Sequence, residues 1–355
     1  MNKTLLLTGA SAFALMLGVS APAFAIPPID GAQAEAEGTS EGNYTRDRES
    51  RRENLIDNSF NGGATGIVHD QQNNGDNNAV NAATAVHADV TGGTGLETGA
   101  RASSTSDDNE SNHDGFQDDR NNEILDTMNG FVGSATIQQN NGDNNAINAA
   151  TALDGVSGDT TGVVQNVSAD AKTVDGITDE DESSEVYNLI DPSFTGAAGV
   201  FTVQQNNGDG NAISAATSAF GVTGDAGGLT QDASASADAD GNLTDTYKDN
   251  RDNLIIDSFN GDFAGVATVQ QNNGDANAMS TATAVAAVGG NAGDLTQHAI
   301  ANGFSDGTRG NTTDAFRSER DNIIGGPQNA FQGAHGVITV QQNNGDANAI
   351  SAANA

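Results

Sequence analysis

The chain lacks several residue types that usually stabilise a domain of its size. Its 355 residues include no cysteine and no tryptophan, and aromatic residues make up only 5%. Hydrophobic residues reach 35%, against roughly 45–50% in an ordinary globular domain. Disulfides are therefore excluded, and so few large side chains cannot build the core of a compact enzyme of this length.

Positive charge is also scarce. Thirteen Lys and Arg residues stand against 48 Asp and Glu residues, which gives a formal net charge of −35. Nucleic acids and anionic membranes are bound through basic surfaces, so we expect neither as a partner. Amide side chains are abundant instead, with 41 Asn and 17 Gln. This composition favours either disorder or a fold stabilised by backbone ladders and repeated small contacts.

The only long apolar run lies at the N-terminus. Lys3 precedes an apolar stretch over residues 4–19, and Ala21-Pro-Ala-Phe-Ala25 follows it, which is the pattern of a secretory signal peptide. We predict a signal peptide over 1–25, with an uncleaved membrane anchor as the alternative. No later segment approaches the roughly 20 apolar residues that span a bilayer. The mature chain is predicted to be secreted, extracellular or at the cell surface, without membrane insertion.

One hexapeptide occurs five times. Gln-Gln-Asn-Asn-Gly-Asp begins at Gln71, Gln138, Gln204, Gln270 and Gln341, at spacings of 67, 66, 66 and 71 residues. Self-similarity at such a period is typical of stacked repeat architectures. The predicted organisation is a disordered leader over 26–53, repeat 1 over 54–121, repeat 2 over 122–187, repeat 3 over 188–252, repeat 4 over 253–321 and a truncated repeat 5 over 322–355.

The residues around the hexapeptide predict strands. Before it, Ala267, Val269 and Gln271 form one alternating face, and the many β-branched residues disfavour helix. The central Asn-Gly is typical of a two-residue type I′ turn, in which both residues have positive φ. It also suits the arc of a solenoid, and hairpin and arc both stay open. The predicted turn residues are Asn74, Gly75, Asn141, Gly142, Asn207, Gly208, Asn273, Gly274, Asn344 and Gly345.

The near-identity of the five copies indicates that they stack. Identical amides placed above one another at about 4.8 Å form hydrogen-bonded ladders, as in cross-β assemblies. We therefore predict an all-β repeat protein, a β-solenoid or cross-β stack of strand–turn–strand units. Its predicted assembly ladder consists of Gln72, Gln139, Gln205, Gln271, Gln342, Asn78, Asn145, Asn211, Asn277 and Asn348.

The repeat resembles those of bacterial functional amyloids. Gln139-Asn-Asn-Gly-Asp-Asn-Asn-Ala146 resembles the Gln-x-Gly-x-x-Asn-x-Ala core of curlin repeats, and the wider cadence of the unit is similar to Fap-type subunits. The glycine lies one place later here, and the unit is longer. The resemblance implies a secreted subunit that polymerises into extracellular cross-β fibres of a biofilm matrix. It places the curlin Gln on the five ladder glutamines and the curlin Ala on Ala79, Ala146, Ala212, Ala278 and Ala349.

No residue pattern indicates catalysis or a cofactor. The five histidines lack a two-His metal spacing, and neither a nucleophile elbow nor a phosphate-binding loop occurs. Stacked turns would align the carboxylates of Asp76, Asp143, Asp209, Asp275 and Asp346. Calcium or protons would relieve their repulsion, whereas ordinary solvated turn residues are the alternative. The prediction is no catalytic site, no cofactor and no metal, with calcium left open.

Two other sets of residues open most of the units. The pairs beginning at Leu55, Ile124, Leu189, Leu254 and Ile323 are predicted to be buried strand anchors, with partner docking as the alternative. Arg120, Arg251, Arg317 and Arg320 are predicted to pair with spacer acids at the surface, which is a weak effect.

The predicted function is structural. We expect a secreted subunit that self-assembles into extracellular amyloid-like fibres for a biofilm matrix or surface adhesion. Its main partner would be further copies of itself, and a nucleator and an outer-membrane export factor would be additional partners. The alternative is a monomeric secreted β-solenoid adhesin or ligand-binding protein, with stabilisation by calcium left open. A polysaccharide-active β-helix enzyme is the least favoured class.

Overall fold

The computed structural model describes residues 31–47, 50–89, 94–113, 118–180, 184–247, 249–305, 311–316, 319–327 and 330–355. The predicted signal peptide over 1–25 lies outside these residues, as does Arg317. The described residues include no helix that is long and apolar enough to cross a bilayer.

The described chain winds through five coils of parallel strands, each about 66 residues long. Coil 1 contains β1 (Gly31–Glu41), β2 (Tyr44–Asp47), β3 (Ser50–Asp57), β4 (Thr65–Asn73) and β5 (Ala79–Asp89). Coil 2 contains β6 (Glu97–Asp107), β7 (Glu110–His113), β8 (Asp118–Leu125), β9 (Val132–Asn140) and β10 (Ala146–Val156). Coil 3 contains β11 (Thr160–Thr161), β12 (Val164–Val174), β13 (Ile177–Glu180), β14 (Ser184–Asp191), β15 (Ala198–Asn206) and β16 (Ala212–Val222).

The last two coils repeat this order. Coil 4 contains β17 (Ala226–Asp240), β18 (Leu243–Tyr247), β19 (Asp249–Ile256), β20 (Ala264–Asn272) and β21 (Ala278–Val288). Coil 5 contains β22 (Ala292–Ser305), β23 (Thr312–Phe316), β24 (Glu319–Gly325), β25 (His335–Asn343) and β26 (Ala349–Asn354). The prediction of an all-β solenoid of stacked repeats is confirmed.

Equivalent strands of successive coils form five parallel sheets. Sheet 1 contains β1, β6, β12, β17 and β22, with β11 beside β17; sheets 2, 3, 4 and 5 start at β2, β3, β4 and β5 and take the equivalent strand of each coil. The register keeps identical residues level, since Ala146 pairs with Ala79 on one side and with Ala212 on the other. This alignment follows from the 66–71 residue spacing of the copies.

The Asn-Gly segments form arcs. β4 pairs with β9 in sheet 4, and β5 pairs with β10 in sheet 5. The two strands that flank each turn therefore lie in different sheets, which resolves the alternative between hairpin and arc.

Four sheets pack as layers in the order 3, 4, 5 and 1. Isoleucines of sheet 3 and inward residues of sheet 4 share one hydrophobic cluster, and alanines of sheets 5 and 1 share another. Between sheets 4 and 5, Gln204 Nε2 of sheet 4 donates to Asn148 O of sheet 5 at 2.9 Å. Sheets 4 and 5 are thus covered on both faces, as parallel sheets usually are. Their polar side chains must consequently find partners inside the protein.

Large and small residues alternate in the core between sheets 3 and 4. Phe131 lies beside Ala135 in coil 2, Ala197 beside Phe201 in coil 3, and Phe263 beside Ala267 in coil 4. The rings of Phe201 and Phe263 meet edge to face with centroids 5.4 Å apart. Coils 2, 3 and 4 thereby each place one ring in this layer, which keeps the thickness of the layer constant despite the exchanged positions.

The segment predicted to be a disordered leader differs from the prediction. Residues 31–41, 44–47 and 50–53 lie in β1, β2 and the start of β3, and residues 26–30, 48 and 49 lie outside the described residues. Ala34 pairs with Ala100 and Ala36 with Ala102, so β1 is an additional copy of the sheet 1 strand. The alternating alanines of β1 pack on sheet 5, and the strand itself has no large apolar residue.

The prediction that both members of each apolar pair are buried is wrong for one member. Ile124, Ile190 and Ile255 are fully buried, whereas Leu55 is 52% and Ile323 is 44% exposed. The reason is the period of two in a strand, which turns neighbouring side chains to opposite faces of sheet 3.

Candidate functional site

The second glutamine of each hexapeptide lies in a column that runs through all five coils. Gln139 Nε2 donates to Gln72 Oε1 at 2.7 Å, and Gln205 donates to Gln139 at 2.8 Å. Gln271 donates to Gln205 at 2.8 Å, and Gln342 donates to Gln271 at 2.7 Å. These five residues were predicted from the sequence, and within one chain the structure brings them together in one ladder. A ladder between chains stays a prediction.

The first glutamine of each hexapeptide forms a second column, which the sequence analysis missed. Gln71 Nε2 donates to Gln138 Oε1 at 2.8 Å, and the same bond continues through Gln204 and Gln270 to Gln341 at 2.9, 2.9 and 3.0 Å. Here each donor lies one coil before its acceptor, opposite to the first column. The adjacent glutamines face opposite sides of sheet 4, and the repeated Gln-Gln dipeptide was the available signal.

Two asparagine columns were also missed. In sheet 4, side-chain bonds of 2.8–3.0 Å join Asn73, Asn140, Asn206, Asn272 and Asn343. In sheet 3, bonds of 2.8–3.0 Å join Asn54, Asn122, Asn188, Asn253 and Asn322. In every unit an Asn directly precedes the position equivalent to Leu55, and this repeated Asn was the signal for the second column.

The predicted Asn78 column has a different bonding pattern from the prediction. Its side-chain oxygens accept backbone N–H groups of the next coil: Asn145 N donates to Asn78 Oδ1, and Asn211 N to Asn145 Oδ1, both at 2.7 Å. Asn277 and Asn348 continue the column at the same distance. The carboxamides therefore satisfy backbone donors where the chain enters sheet 5 and the ladder is interrupted.

The predicted turn residues lie in the arcs, but the type I′ conformation is wrong. Left-handed φ values occur two residues after the glycine, as at Asn144 (57°) and Ala276 (53°), and not at the glycine itself. The glycines are required by close stacking instead. A Cβ on Gly142 would lie 2.0 Å from the carbonyl oxygen of Gly208, and a Cβ on Gly208 equally close to that of Gly274.

The Asp side chains of the arcs form a buried column paired with arginine. Asp143 accepts from Arg120 Nη1 at 2.8 Å, and both side chains are at most 2% exposed. Arg52 pairs with Asp76 at 2.8 Å in coil 1. The prediction that the unit-opening arginines form weak surface pairs is wrong for Arg120, Arg251 and Arg320, because the alternation of sheet 3 turns them inward against the arc.

Coil 3 has Val186 in place of the arginine, and the next coil compensates. Arg251 Nη2 lies 2.8 Å from Asp209 of coil 3, and its Nη1 contacts Asp275 of coil 4. Arg320 likewise pairs with Asp275 at 2.8 Å and contacts Asp346. One guanidinium thus serves carboxylates of two coils, which its planar set of five donors permits.

These pairs keep the buried carboxylates ionised. Burial opposes ionisation of Asp143, but the charges of Arg120 and His113 outweigh it, so its pKa lies below the ordinary value. Burial also opposes ionisation of Asp275, and the charges of Arg251 and Arg320 again leave its pKa lowered. The arginines supply positive charge to this column, for which the sequence left calcium, protons or ordinary solvation open.

One group of side chains has the spacing of a metal site. Ligand atoms of Asp76, His113 and Asp143 lie within 4.8 Å of one another, and His113 Nε2 lies 2.6 Å from Asp143 Oδ2. Arg52 and Arg120 hold the two carboxylates of this group. A cation would have to enter beside two guanidinium groups, so the arrangement favours the ion pairs.

A column of aromatic residues lies where sheet 3 passes into sheet 4. The rings of Phe194 and Phe259 stack at 4.5 Å, and those of Phe259 and Phe331 at 4.9 Å. Met128 and Phe60 occupy the same level in coils 2 and 1. All five residues have left-handed φ values between 54° and 64°, a conformation that costs a non-glycine residue about 1–3 kcal/mol. Stacking the side chains offsets that cost in the inner coils.

No family model, no curated protein and no solved structure matches this chain.

Proposed function

We propose that the chain is a secreted structural subunit that self-assembles into extracellular amyloid-like fibres, which serve in a biofilm matrix or in surface adhesion. Its principal partner is another copy of the same chain. A nucleating partner and an outer-membrane export factor belong to the proposal, since the resemblance to curlin-like and Fap-like repeats implies them. The role is non-enzymatic and needs no cofactor.

The observation that carries the proposal is the state of the two end coils. Val340 of coil 5 is 43% exposed, whereas Val269 and Val203 at the same level of sheet 4 are fully buried. At the other end, Phe60 is 46% exposed and Phe259 is fully buried. Within the described residues, each end therefore presents core side chains and unpaired strand edges, which are templates for adding another chain.

Charge supports regulated assembly. The net charge of −35 makes copies of the chain repel one another in solution. Salt screens this repulsion, and acid reduces it, so both are expected to speed assembly. Calcium is expected to act in the same direction by binding to exposed carboxylates.

The proposal is tested by seeded growth of purified residues 26–355, which include every described residue. Thioflavin fluorescence would follow growth of the unaltered chain, Val340→Glu and Leu243→Glu. Val340 and Leu243 are equally exposed at 43%, but Leu243 lies on the side of coil 4 in sheet 2. We expect Val340→Glu to abolish seeded growth and Leu243→Glu to preserve it. Equal growth of all three proteins would contradict the proposal.

A groove on the outer face of sheet 1 favours the second candidate function, a monomeric ligand-binding solenoid or adhesin. It encloses about 540 Å³ beside Glu35, Arg101, Asn166 and Asp232. Seven of its eleven lining residues are polar and none is aromatic, which suits a small polar ligand. A protein that stays monomeric under all assembly conditions and binds such a ligand, with loss of binding in Arg101→Ala, would favour this function.

A further inference from the structure

One side chain interrupts the hydrophobic column that sheet 4 directs toward sheet 3. The column consists of Ile137, Val203, Val269 and Val340, and in coil 1 the same level is occupied by Asp70. Asp70 is only 8% exposed. Its Oδ2 has no hydrogen-bond partner among the described residues. Burial raises the pKa of its carboxyl to about 6.

The charged groups on the neighbouring elements are already paired. β3 and β8 direct Arg52 and Arg120 toward this layer, and these bind Asp76 and Asp143. β9 contributes Ala135, Ile137 and Gln139, which carry no charge. His69, next in sequence, faces sheet 5 and lies 2.7 Å from Thr84 Oγ1. In the described part of the chain, no cation is paired with Asp70.

The two end coils are complementary in only one orientation. Asp209 N donates to Asp275 Oδ1 of the following coil at 2.9 Å, and Asn211 N donates to Asn145 Oδ1 of the preceding coil at 2.7 Å. Both columns have a fixed polarity because the donors are backbone groups. Coil 5 of one copy placed on coil 1 of another continues both columns and keeps the strands parallel. Like ends brought together would place donor against donor in one of these columns and acceptor against acceptor in the other.

We propose that subunits join with coil 5 of one copy on coil 1 of the next, and that Asp70 blocks this contact while it is ionised. The inference rests on the proposed fibre function. In this junction Val340 in coil 5 of one copy covers Asp70 in coil 1 of the next. Arg320, the arginine of coil 5 in this layer, is already engaged with Asp275 and Asp346. An ionised carboxylate between Val340 and Ile137 would lose its remaining water without gaining a cation, whereas the neutral acid would lose far less.

Joining therefore takes up a proton at Asp70. Covering the carboxyl raises its pKa further, so the pKa of Asp70 is higher in the junction than in the free subunit. Between these two pKa values, association weakens by up to tenfold per pH unit. Above about pH 6, the critical concentration for assembly is expected to rise with this slope until the junction itself titrates.

The pH dependence is tested with Asp70→Asn, Asp70→Val and the control Asp57→Asn. Asp57 is an exposed carboxylate of the same coil on the outer face of sheet 3, so its variant has the same change in net charge. Critical concentrations would be measured across about pH 5.5–8 at constant ionic strength, with circular dichroism to establish folding. We expect both Asp70 variants to assemble at neutral pH with little dependence on pH. Asp57→Asn should follow the unaltered chain.

The orientation is tested separately by crosslinking. Leu55 and Ile323 occupy the same level on the outer face of sheet 3 in coils 1 and 5. Because the chain has no cysteine, fibres mixed from Leu55→Cys and Ile323→Cys subunits should yield dimers of one of each with a short bismaleimide. Dimers of like subunits would overturn the proposed junction.

The outcomes separate this inference from the proposed function. Fibres that form with the same pH dependence in Asp70→Asn and the unaltered chain would overturn the role of Asp70 and leave the fibre function intact. If the unaltered chain and Asp70→Val both stay monomeric at every pH, the fibre function itself fails.

Discussion

At the scale of single residues, buried polar side chains stabilise this protein where another fold would use large apolar ones. Gln139, Gln205 and Gln271 are fully buried, and each is hydrogen-bonded to its equivalents in both neighbouring coils. A net contribution of about 0.5–1.5 kcal/mol is typical for one such bond. Repetition over five coils makes the sum large, and a missing member would leave buried partners unsatisfied.

The arc glycines are expected to be intolerant of any side chain. Gly208→Ala would place Cβ 2.0 Å from the backbone oxygen of Gly274, so the neighbouring coil would have to move. We expect a loss of more than about 3 kcal/mol, at the severe end for single substitutions. Gly99→Ala is the control, since its Cβ would meet the nearest atom at 3.5 Å. Denaturant midpoints of both variants measure the difference, and equal midpoints would contradict the stacked arc.

Removing the shared arginine is expected to destabilise the protein, because buried carboxylates of the column lose their counter-charge. Arg251→Met leaves Asp209 and Asp275 buried with one guanidinium, from Arg320, in place of two. Breaking a buried pair typically costs about 3–5 kcal/mol. The exposed Arg101→Met is the control and should be near neutral.

The effect of pH on this variant has a definite sign. The pKa of Asp275 is lowered in the folded protein, so its ion pairs contribute stability above the unfolded pKa of about 4, and this stability is lost as the pH falls through the folded pKa. The difference between Arg251→Met and the unaltered chain should shrink below about pH 4. A difference that stays constant from neutral pH to strong acid would show that lost packing, and not charge, is the cause.

At the scale of the strands, alternation decides which residues could be predicted from the sequence. The strands on both sides of the hexapeptide and the level of the ladder glutamines followed from periodicity and repetition. The inward direction of Arg120 and the outward direction of Leu55 did not, because the strands of sheet 3 have no clear apolar alternation. β1 was missed since its inward residues are alanines. Alignment of the hexapeptides sets Asp70 level with Ile137, but that its side chain is buried in coil 1 could be recognised only from the structure.

In coil 3, swapping the positions of the large and the small core residue is expected to restore much of the stability that either single substitution loses. Phe201→Ala should cost about 3–5 kcal/mol through the cavity it leaves, and Ala197→Phe about 1–3 kcal/mol through overpacking. The double variant rebuilds the arrangement of coil 4, where Phe263 lies beside Ala267. We expect it to recover at least half of the summed loss, as contacting residues couple. Additive losses in chemical unfolding would contradict the pairing of these positions.

At the scale of the whole molecule, the five coils form a continuous stack in which the strands of the inner coils are paired on both edges and those of the end coils on one. Each inner coil has a neighbour on both sides, and stability in such a stack is a sum of coil and interface terms. Coil 1 and coil 5 each have a neighbour on only one side among the described residues. Adding another chain extends the same ladders without any new type of contact, which is why the proposed polymer needs no change of fold.

The most direct test of end-to-end stacking is fibre diffraction from seeded assemblies of residues 26–355. Stacking of coils through their ends predicts seeded growth and a meridional reflection at about 4.7–4.8 Å, with the strands perpendicular to the fibre axis. A stable monomer with a β-type circular dichroism spectrum that never responds to seeds would contradict the account.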